Sequence, residues 1–189
     1  MNDCKMMFLG DSIIEGYGVE PEECWVSSLS ADAVNCGVSG DTTRDVLRRF
    51  AAIAANGRQV QSVVLLIGIN DLLNGQRVPS VTARMEQLIQ RIQELPAEPV
   101  LCTYPEPDYD ELLSGGYVPE SMYSFPERLK ELHRWIRLTC RNNHFRCIDF
   151  AQGMQERAGQ DRCRLFLDGV HPNRYGHLMM SEIAREILE

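Results

Sequence analysis

The sequence predicts an α/β protein built as a three-layer α/β/α sandwich around a five-stranded parallel sheet. Short apolar runs alternate with longer stretches of helical periodicity, which is typical of strands covered by helices. Polar and glycine-bearing motifs follow the apolar runs, where such a sheet carries its functional loops. The length of 189 residues suits a single domain spanning 1–189.

The predicted strands are five short apolar runs, of which the third is the clearest. Helices between them, with right-handed crossovers, would make neighbouring strands parallel. The runs lie at 6–9, 34–36, 63–67, 100–103 and 145–150.

Helical periodicity predicts four amphipathic helices, at 43–55, 80–95, 125–142 and 172–188. We expect Asp41 or Thr42 to cap the first helix and Ser80 to cap the second. Pro126 and Pro172 suit first-turn positions, because the missing N–H of proline would have no helical partner there.

The balance of charge excludes some classes of partner. Lys and Arg number 19 and Asp and Glu number 27, which gives a net charge of −8. Proteins that follow phosphate backbones need clustered cations, so we expect neither nucleic acid nor an anionic membrane surface as partner. Since no apolar run approaches the about 20 residues that span a bilayer, we also expect no stable membrane insertion.

Targeting signals and metal ligands are not apparent in the sequence. The first ten residues lack the basic and apolar regions of a signal peptide, so we expect a cytoplasmic protein. The seven cysteines form no Cys-x-x-Cys pair, and several lie inside apolar runs, so we expect reduced thiols, several of them buried, rather than a disulfide framework. His133, His144 and His177 have no ligand spacing, so they are expected to be surface or helix-packing residues and no metal is expected.

Ser12 is the candidate nucleophile. It follows Gly10 and Asp11 at the end of the first predicted strand, and Gly10 allows the sharp turn that brings Ser12 to the edge of the sheet. A serine hydroxyl is a poor nucleophile until a base accepts its proton. Gly-Asp-Ser is also a common turn sequence, so the catalytic interpretation depends on finding a base.

Asp168 and His171 are the candidate pair that would activate Ser12. They lie three residues apart in a loop before the last predicted helix. An imidazole accepts the serine proton, and a carboxylate on its other nitrogen fixes the tautomer. The alternative is that Asp168 caps the last helix and His171 is only a first-turn residue.

Two further motifs offer hydrogen-bond donors for an oxyanion. Gly40 follows the second predicted strand and can present its N–H, and Asn70 follows the third and can present its amide. Alternatively, Gly40 serves a turn of positive φ and Asn70 an Asx turn. The motifs occur together after separate strands, which favours one catalytic site.

These four motifs resemble the four sequence blocks of the SGNH hydrolases, the GDSL family of esterases and lipases. The matching blocks are Gly10-Asp11-Ser12, 35–41, Gly68-Ile69-Asn70-Asp71 and Asp168-Gly169-Val170-His171, so the resemblance covers nearly the whole chain. The segment around Ser12 most resembles the bacterial lysophospholipase, thioesterase and arylesterase branch, although Ile13-Ile14 replaces the usual Leu-Thr.

The resemblance implies roles for individual residues. Ser12 would be the nucleophile, His171 the general base and acid, and Asp168 the residue that orients His171. The Ser12 N–H, the Gly40 N–H and the Asn70 side chain would form the oxyanion hole. A flavodoxin-like SGNH fold without a metal or organic cofactor is implied as well.

The expected substrate is a small ester, a lysophospholipid or a thioester. We expect substrate contacts from Asp11 and Val170, which lie within the motifs, and from Tyr104, which follows the fourth predicted strand. The long segment 104–124 is either a lid or pocket wall, with Gly115-Gly116 supplying flexibility, or an ordered surface excursion. A carbohydrate acetyl esterase and a non-catalytic flavodoxin-like module that binds a small ligand stay open as alternatives, as does a homo-oligomer.

Overall fold

The protein folds around a parallel sheet with the strand order β2-β1-β3-β4-β5. A computed structural model describes residues 6–29, 32–54, 60–114 and 120–189. Five strands lie in these ranges, and every neighbouring pair is parallel, which confirms the predicted sheet. The strands are β1 (Met6–Gly10), β2 (Ala33–Gly37), β3 (Ser62–Leu66), β4 (Glu98–Thr103) and β5 (Arg146–Asp149).

Helices cover both faces of the sheet, and β3 is consequently buried along its whole length. Two 3₁₀ segments, Pro21–Glu23 and Gly159–Leu165, accompany the α-helices. The α-helices are α1 (Ser12–Glu15), α2 (Thr43–Ala54), α3 (Ile69–Leu73), α4 (Val78–Gln93), α5 (Tyr109–Leu113), α6 (Glu120–Tyr123), α7 (Phe125–Asn143), α8 (Phe150–Ala158) and α9 (Arg174–Leu188).

Two predicted helix starts differ from the observed ones. Ser80 does not cap α4, because Pro79 occupies the first turn and the helix begins after Arg77. The last helix begins later than predicted: Asn173 caps α9 by accepting hydrogen bonds from the backbone N–H groups of the first turn, and Pro172 precedes the helix.

Trp25 joins the two ends of the chain within the core. Its ring has no exposed surface and packs edge-on against Phe8 of β1 and Phe150 of α8. The indole Nε1 donates to the carbonyl oxygen of Ile13, and the backbone N–H of Trp25 donates to Nδ1 of His177 in α9. Trp25 therefore joins β1 and α1 to α8 and α9.

The segment between β4 and α7 contains the short helices α5 and α6. The Asp108 N–H donates to the carbonyl oxygen of Gly169, 2.8 Å away, so the start of this segment packs on the loop that carries Asp168 and His171. Gly115 and Gly116, which were predicted to supply flexibility, lie outside the described residues.

Of the helices in the described ranges, none is both long enough and apolar enough to cross a membrane. Among the cysteines in those ranges, Cys24, Cys102 and Cys140 are buried, whereas Cys36 and Cys147 are partly buried and Cys163 is exposed.

Candidate active site

The predicted catalytic motifs meet at the carboxyl-terminal edge of the sheet. Ser12 begins α1 directly after β1 and Asp11, and its side chain is nearly buried at 6% exposure. Gly10 is required for this turn, because a Cβ atom at position 10 would lie 2.1 Å from the carbonyl oxygen of Leu66 in β3. The close approach of the two backbones fixes where Ser12 leaves the sheet.

Ser12, His171 and Asp168 form a continuous chain of hydrogen bonds. Ser12 Oγ lies 2.9 Å from Nε2 of His171, and His171 Nδ1 lies 2.7 Å from Oδ2 of Asp168. A proton on Nδ1 faces the carboxylate and leaves Nε2 free to accept the serine hydroxyl. The structure thus brings together three residues that the sequence separates by up to 159 positions.

The loop around Asp168 keeps its carboxyl group ionised. Burial raises the pKa of Asp168, but hydrogen bonds from the N–H and ring of His171 and from the N–H of Val170 outweigh burial and hold the pKa below its usual value. A negative Asp168 beside Nδ1 would stabilise a positive charge on His171.

Gly40 and Asn70 lie in the loops that follow β2 and β3. Gly40 is exposed and has φ of +81°, the left-handed region in which glycine is favoured. The Asn70 amide donates to the carbonyl oxygen of Asp41 at 3.0 Å, so the loops after β2 and β3 are joined beside Gly40. An NH₂ group has a second hydrogen with which to bind an oxyanion.

Asp71 anchors the helix that carries Asn70. Its buried carboxylate accepts hydrogen bonds from the N–H and hydroxyl of Thr43, each at 2.8 Å, and pairs with Arg84 at 2.9 Å. Asp71 therefore ties α3 to the start of α2 and to α4.

Asp11 and Tyr104 lie beneath the candidate site rather than on its surface. Both are fully buried, with 0% exposure, so the prediction that they contact substrate is corrected: neither has surface for a ligand to touch. The Tyr104 hydroxyl donates to Asp11 Oδ2 at 2.5 Å, and Asp11 also accepts from the Ile13 N–H at the start of α1. Their contacts instead support the segment that carries Ser12. Burial raises the pKa of Asp11 to about 6, although both hydrogen bonds oppose the increase.

Val170 is also nearly buried, at 7% exposure, and its N–H donates to Asp168. Substrate contact by Val170 stays a prediction.

Several contacts at the site were not foreseen from the sequence. The Tyr17 ring lies over His171 with 4.6 Å between ring centroids. Arg49 binds both Asp41 and the carbonyl oxygen of Gly10. His177, expected on the surface or at a helix contact, is buried and accepts from Trp25. Tyr17 stands five residues after Ser12 within a glycine-rich turn, which is the one sequence signal that pointed to it.

No cluster of three or more potential metal ligands occurs among His, Cys, Asp and Glu in the described part of the chain.

The fold and the four converging motifs define a hydrolase class, and the comparison of sequences agrees. A model of the GDSL-like lipase/acylhydrolase family matches residues 8–179. The chain therefore belongs to this family, as the resemblance predicted.

The similar proteins include thioesterase 1/protease 1/lysophospholipase L1 of Escherichia coli, which is 29% identical over 102 residues, covering 51% of this chain and 49% of that protein. An arylesterase of Vibrio mimicus is 28% identical over 106 residues, covering 51% of this chain and 52% of that protein. These alignments span about half the length of the curated relatives.

Among solved structures, a member of the lipolytic protein G-D-S-L family from Veillonella parvula superimposes with a TM-score of 0.83 at 21% identity and covers 97% of both chains. At this identity the likeness establishes the shared fold.

Proposed function

We propose that this protein is a serine-dependent carboxylic ester hydrolase. The observation that carries the proposal is the hydrogen-bonded chain from Ser12 Oγ through His171 to Asp168, with distances of 2.9 and 2.7 Å. This arrangement suits transfer of the serine proton to an imidazole that a carboxylate holds in the required tautomer. Membership of the acylhydrolase family supports the same reaction class.

In the first half of the reaction, Ser12 Oγ attacks the ester carbonyl while His171 Nε2 takes the hydroxyl proton. The N–H groups of Ser12 and Gly40 and the Asn70 amide stabilise the oxyanion of the tetrahedral intermediate. His171 then gives the proton to the leaving alkoxide as the C–O bond breaks, which leaves an acyl group on Ser12.

In the second half, His171 takes a proton from water, and the resulting hydroxide attacks the acyl carbonyl. Collapse of the second tetrahedral intermediate releases the carboxylic acid, and His171 returns its proton to Ser12. Each bond that forms is matched by one that breaks, and the enzyme is regenerated.

The proposed substrate is a small ester, a lysophospholipid or a thioester with an apolar portion and little negative charge. Tyr17 and Leu167 support an apolar portion, because they are 52% and 45% exposed and both lie next to His171: Tyr17 packs on its ring, and the Leu167 N–H donates to its carbonyl oxygen. The net charge of −8 disfavours polyanionic esters.

The direct test is Ser12→Ala. We expect hydrolysis of p-nitrophenyl butyrate to fall by at least about 10³-fold, since a nucleophile and base act as a unit. Labelling by a fluorophosphonate probe, which reacts with an activated serine, should be lost as well. Ser28→Ala is the matched control, because Ser28 is exposed and its hydroxyl donates to the Trp25 carbonyl oxygen. Hydrolysis by Ser12→Ala at the parent rate would refute the proposal.

A substrate panel then narrows the class. It compares p-nitrophenyl esters from acetate to palmitate with a lysophospholipid, an acyl-CoA and acetylated xylose. Preference for acetylated xylose would favour the carbohydrate acetyl esterase alternative, and failure of every ester together with the fluorophosphonate would favour a binding module.

A further inference from the structure

Arg49 joins two of the loops that form the candidate active site. It lies in the middle of α2, where its Nε donates to Asp41 Oδ2 at 2.6 Å and its Nη2 donates to the carbonyl oxygen of Gly10 at 3.1 Å. The two side chains are largely shielded, with 24% of Arg49 and 12% of Asp41 exposed. One guanidinium therefore bridges the end of β1 and the loop after β2.

The two groups that Arg49 binds, the Gly10 carbonyl oxygen and the Asp41 carboxylate, belong to residues close to all three proposed oxyanion donors. Gly10 lies two residues before Ser12, and its carbonyl oxygen also accepts from the Val38 N–H at 3.1 Å. Asp41 directly follows Gly40, and its own carbonyl oxygen accepts from the Asn70 amide at 3.0 Å. A shift of Asp41 would consequently move Gly40 and change the position of Asn70.

Gly40 itself faces open space. Gly40 is exposed, and a Cβ atom built on it would have no other atom within 4 Å. The turn has its own backbone hydrogen bond, from the Asp41 N–H to the Val38 carbonyl oxygen at 3.1 Å, and the Ser39 N–H donates to Glu15 at 2.8 Å. The ion pair with Asp41 adds a tie to the middle of α2, and its guanidinium donor is rigid and forked.

We infer that Arg49 is a positioning residue that aligns the three donors of the oxyanion hole. This inference rests on the proposed function and deepens it. Arg49 touches no reacting atom; it acts by holding Gly10 and Asp41. Because oxyanion donors stabilise the transition state more than the bound substrate, their misalignment lowers kcat while KM changes little.

The test is Arg49→Gln, with kcat and KM measured on p-nitrophenyl butyrate. We expect kcat to fall about 10- to 100-fold with KM within about threefold of the parent. Arg48→Gln is the matched control, because Arg48 is the adjacent residue of α2, is 73% exposed and pairs with Asp45 instead. Its kcat should stay within about twofold of the parent. A folded Arg49→Gln protein with parental kcat, or one whose loss lies in KM, would overturn the inference.

A double-mutant cycle separates alignment of the donors from a general structural effect. Asn70→Ala should lower kcat by about 10²–10³. If Arg49 acts on the same donors, the double variant will lose less than the product of the two single losses. A loss equal to the product would show that Arg49 acts independently of Asn70 and would contradict the inference.

Folding of each variant is checked by urea unfolding. Should Arg49→Gln fail to fold, Asp41→Asn removes the same ion pair from the other side and should give the same loss of kcat. Parental kcat in this variant would also overturn the inference.

Ser12→Ala distinguishes failure of the proposed function from failure of the role of Arg49. If Ser12→Ala hydrolyses like the parent, the proposed function fails; if it is inactive while Arg49→Gln is fully active, only the role of Arg49 fails.

Discussion

At the residue scale, the buried carboxyl group of Asp11 should make stability depend on pH. It adjoins Ser12, has no exposed surface, and has a pKa raised from 3.8 to about 6 because burial disfavours its charged form. Tyr104 and the Ile13 N–H both donate to it. Asp11 thus fits the site best as a structural group next to the proposed nucleophile, Ser12.

The raised pKa of Asp11 predicts a specific dependence of stability on pH. Between pH about 4 and 6 the unfolded chain releases the Asp11 proton before the folded protein does, so the stabilisation that is complete below pH about 4 is lost as pH rises through 6. The free energy of unfolding should fall by about 3 kcal/mol from this group. Asp11→Asn keeps a hydrogen-bonding side chain, but that side chain does not ionise in this pH range.

Urea unfolding of both proteins from pH 4 to 7 tests this prediction. The stability of Asp11→Asn relative to the parent should increase by about 2.4 kcal/mol between pH 4 and 7, because part of the effect already precedes pH 4. Substitution of the exposed Asp110 by Asn controls for the change in net charge. Parallel curves for the parent and Asp11→Asn would contradict the expected shift.

At the scale of elements, the segment between β4 and α7 supports the Asp168–His171 loop through a close contact at Gly169. Gly169 has φ of +83°, and a Cβ atom there would lie 2.7 Å from the Asp108 carbonyl oxygen and 2.9 Å from the Leu112 nitrogen at α5. Both the conformation and the close approach therefore require glycine. Any side chain at 169 would push the loop and the segment apart.

Gly169→Ala should therefore lower both stability and activity. We expect a loss of about 1–3 kcal/mol in the free energy of unfolding, from strain and overpacking, and a fall in kcat of at least about tenfold because His171 and Asp168 are displaced. Gly159→Ala is the control, since Gly159 also has positive φ but a Cβ there meets no atom within 4 Å. Equal stability and equal kcat in the two variants would show that the segment does not hold the loop.

Local patterns in the sequence predict the elements better than they predict which side chains face the site. The apolar runs identify all five strands, and the motif at 168–171 identifies the neighbours of Ser12. The same patterns misassign Asp11 and Tyr104, because closeness to a strand end does not determine the direction in which a side chain points. Arg49 escapes prediction for a related reason: its partners at Gly10 and Asp41 are joined only after α2 packs on the sheet.

At the scale of the whole molecule, the net charge of −8 acts on every approaching substrate. A negatively charged ester should meet repulsion that salt screens, whereas a neutral ester should not. We expect kcat/KM for a carboxylate-bearing ester to rise roughly two- to threefold between low salt and ~0.5 M NaCl, with no comparable change for p-nitrophenyl butyrate. A rate for the anionic ester that is flat or falls with salt would indicate a locally positive site.

The hydrogen bond between Ser12 and His171 closes a stretch of 159 residues. A ribosome-bound chain consequently displays Ser12 long before His171 has been synthesised, and under the proposed mechanism the hydroxyl has no base throughout that interval. The Trp25 contacts with Ile13 and His177 must form as well before the two ends are in register. Recovery of hydrolysis after dilution from urea therefore reports only the last step of folding, the docking of the C-terminal segment. A collapsed chain that has its native helix content but an undocked C-terminal segment would still be inactive.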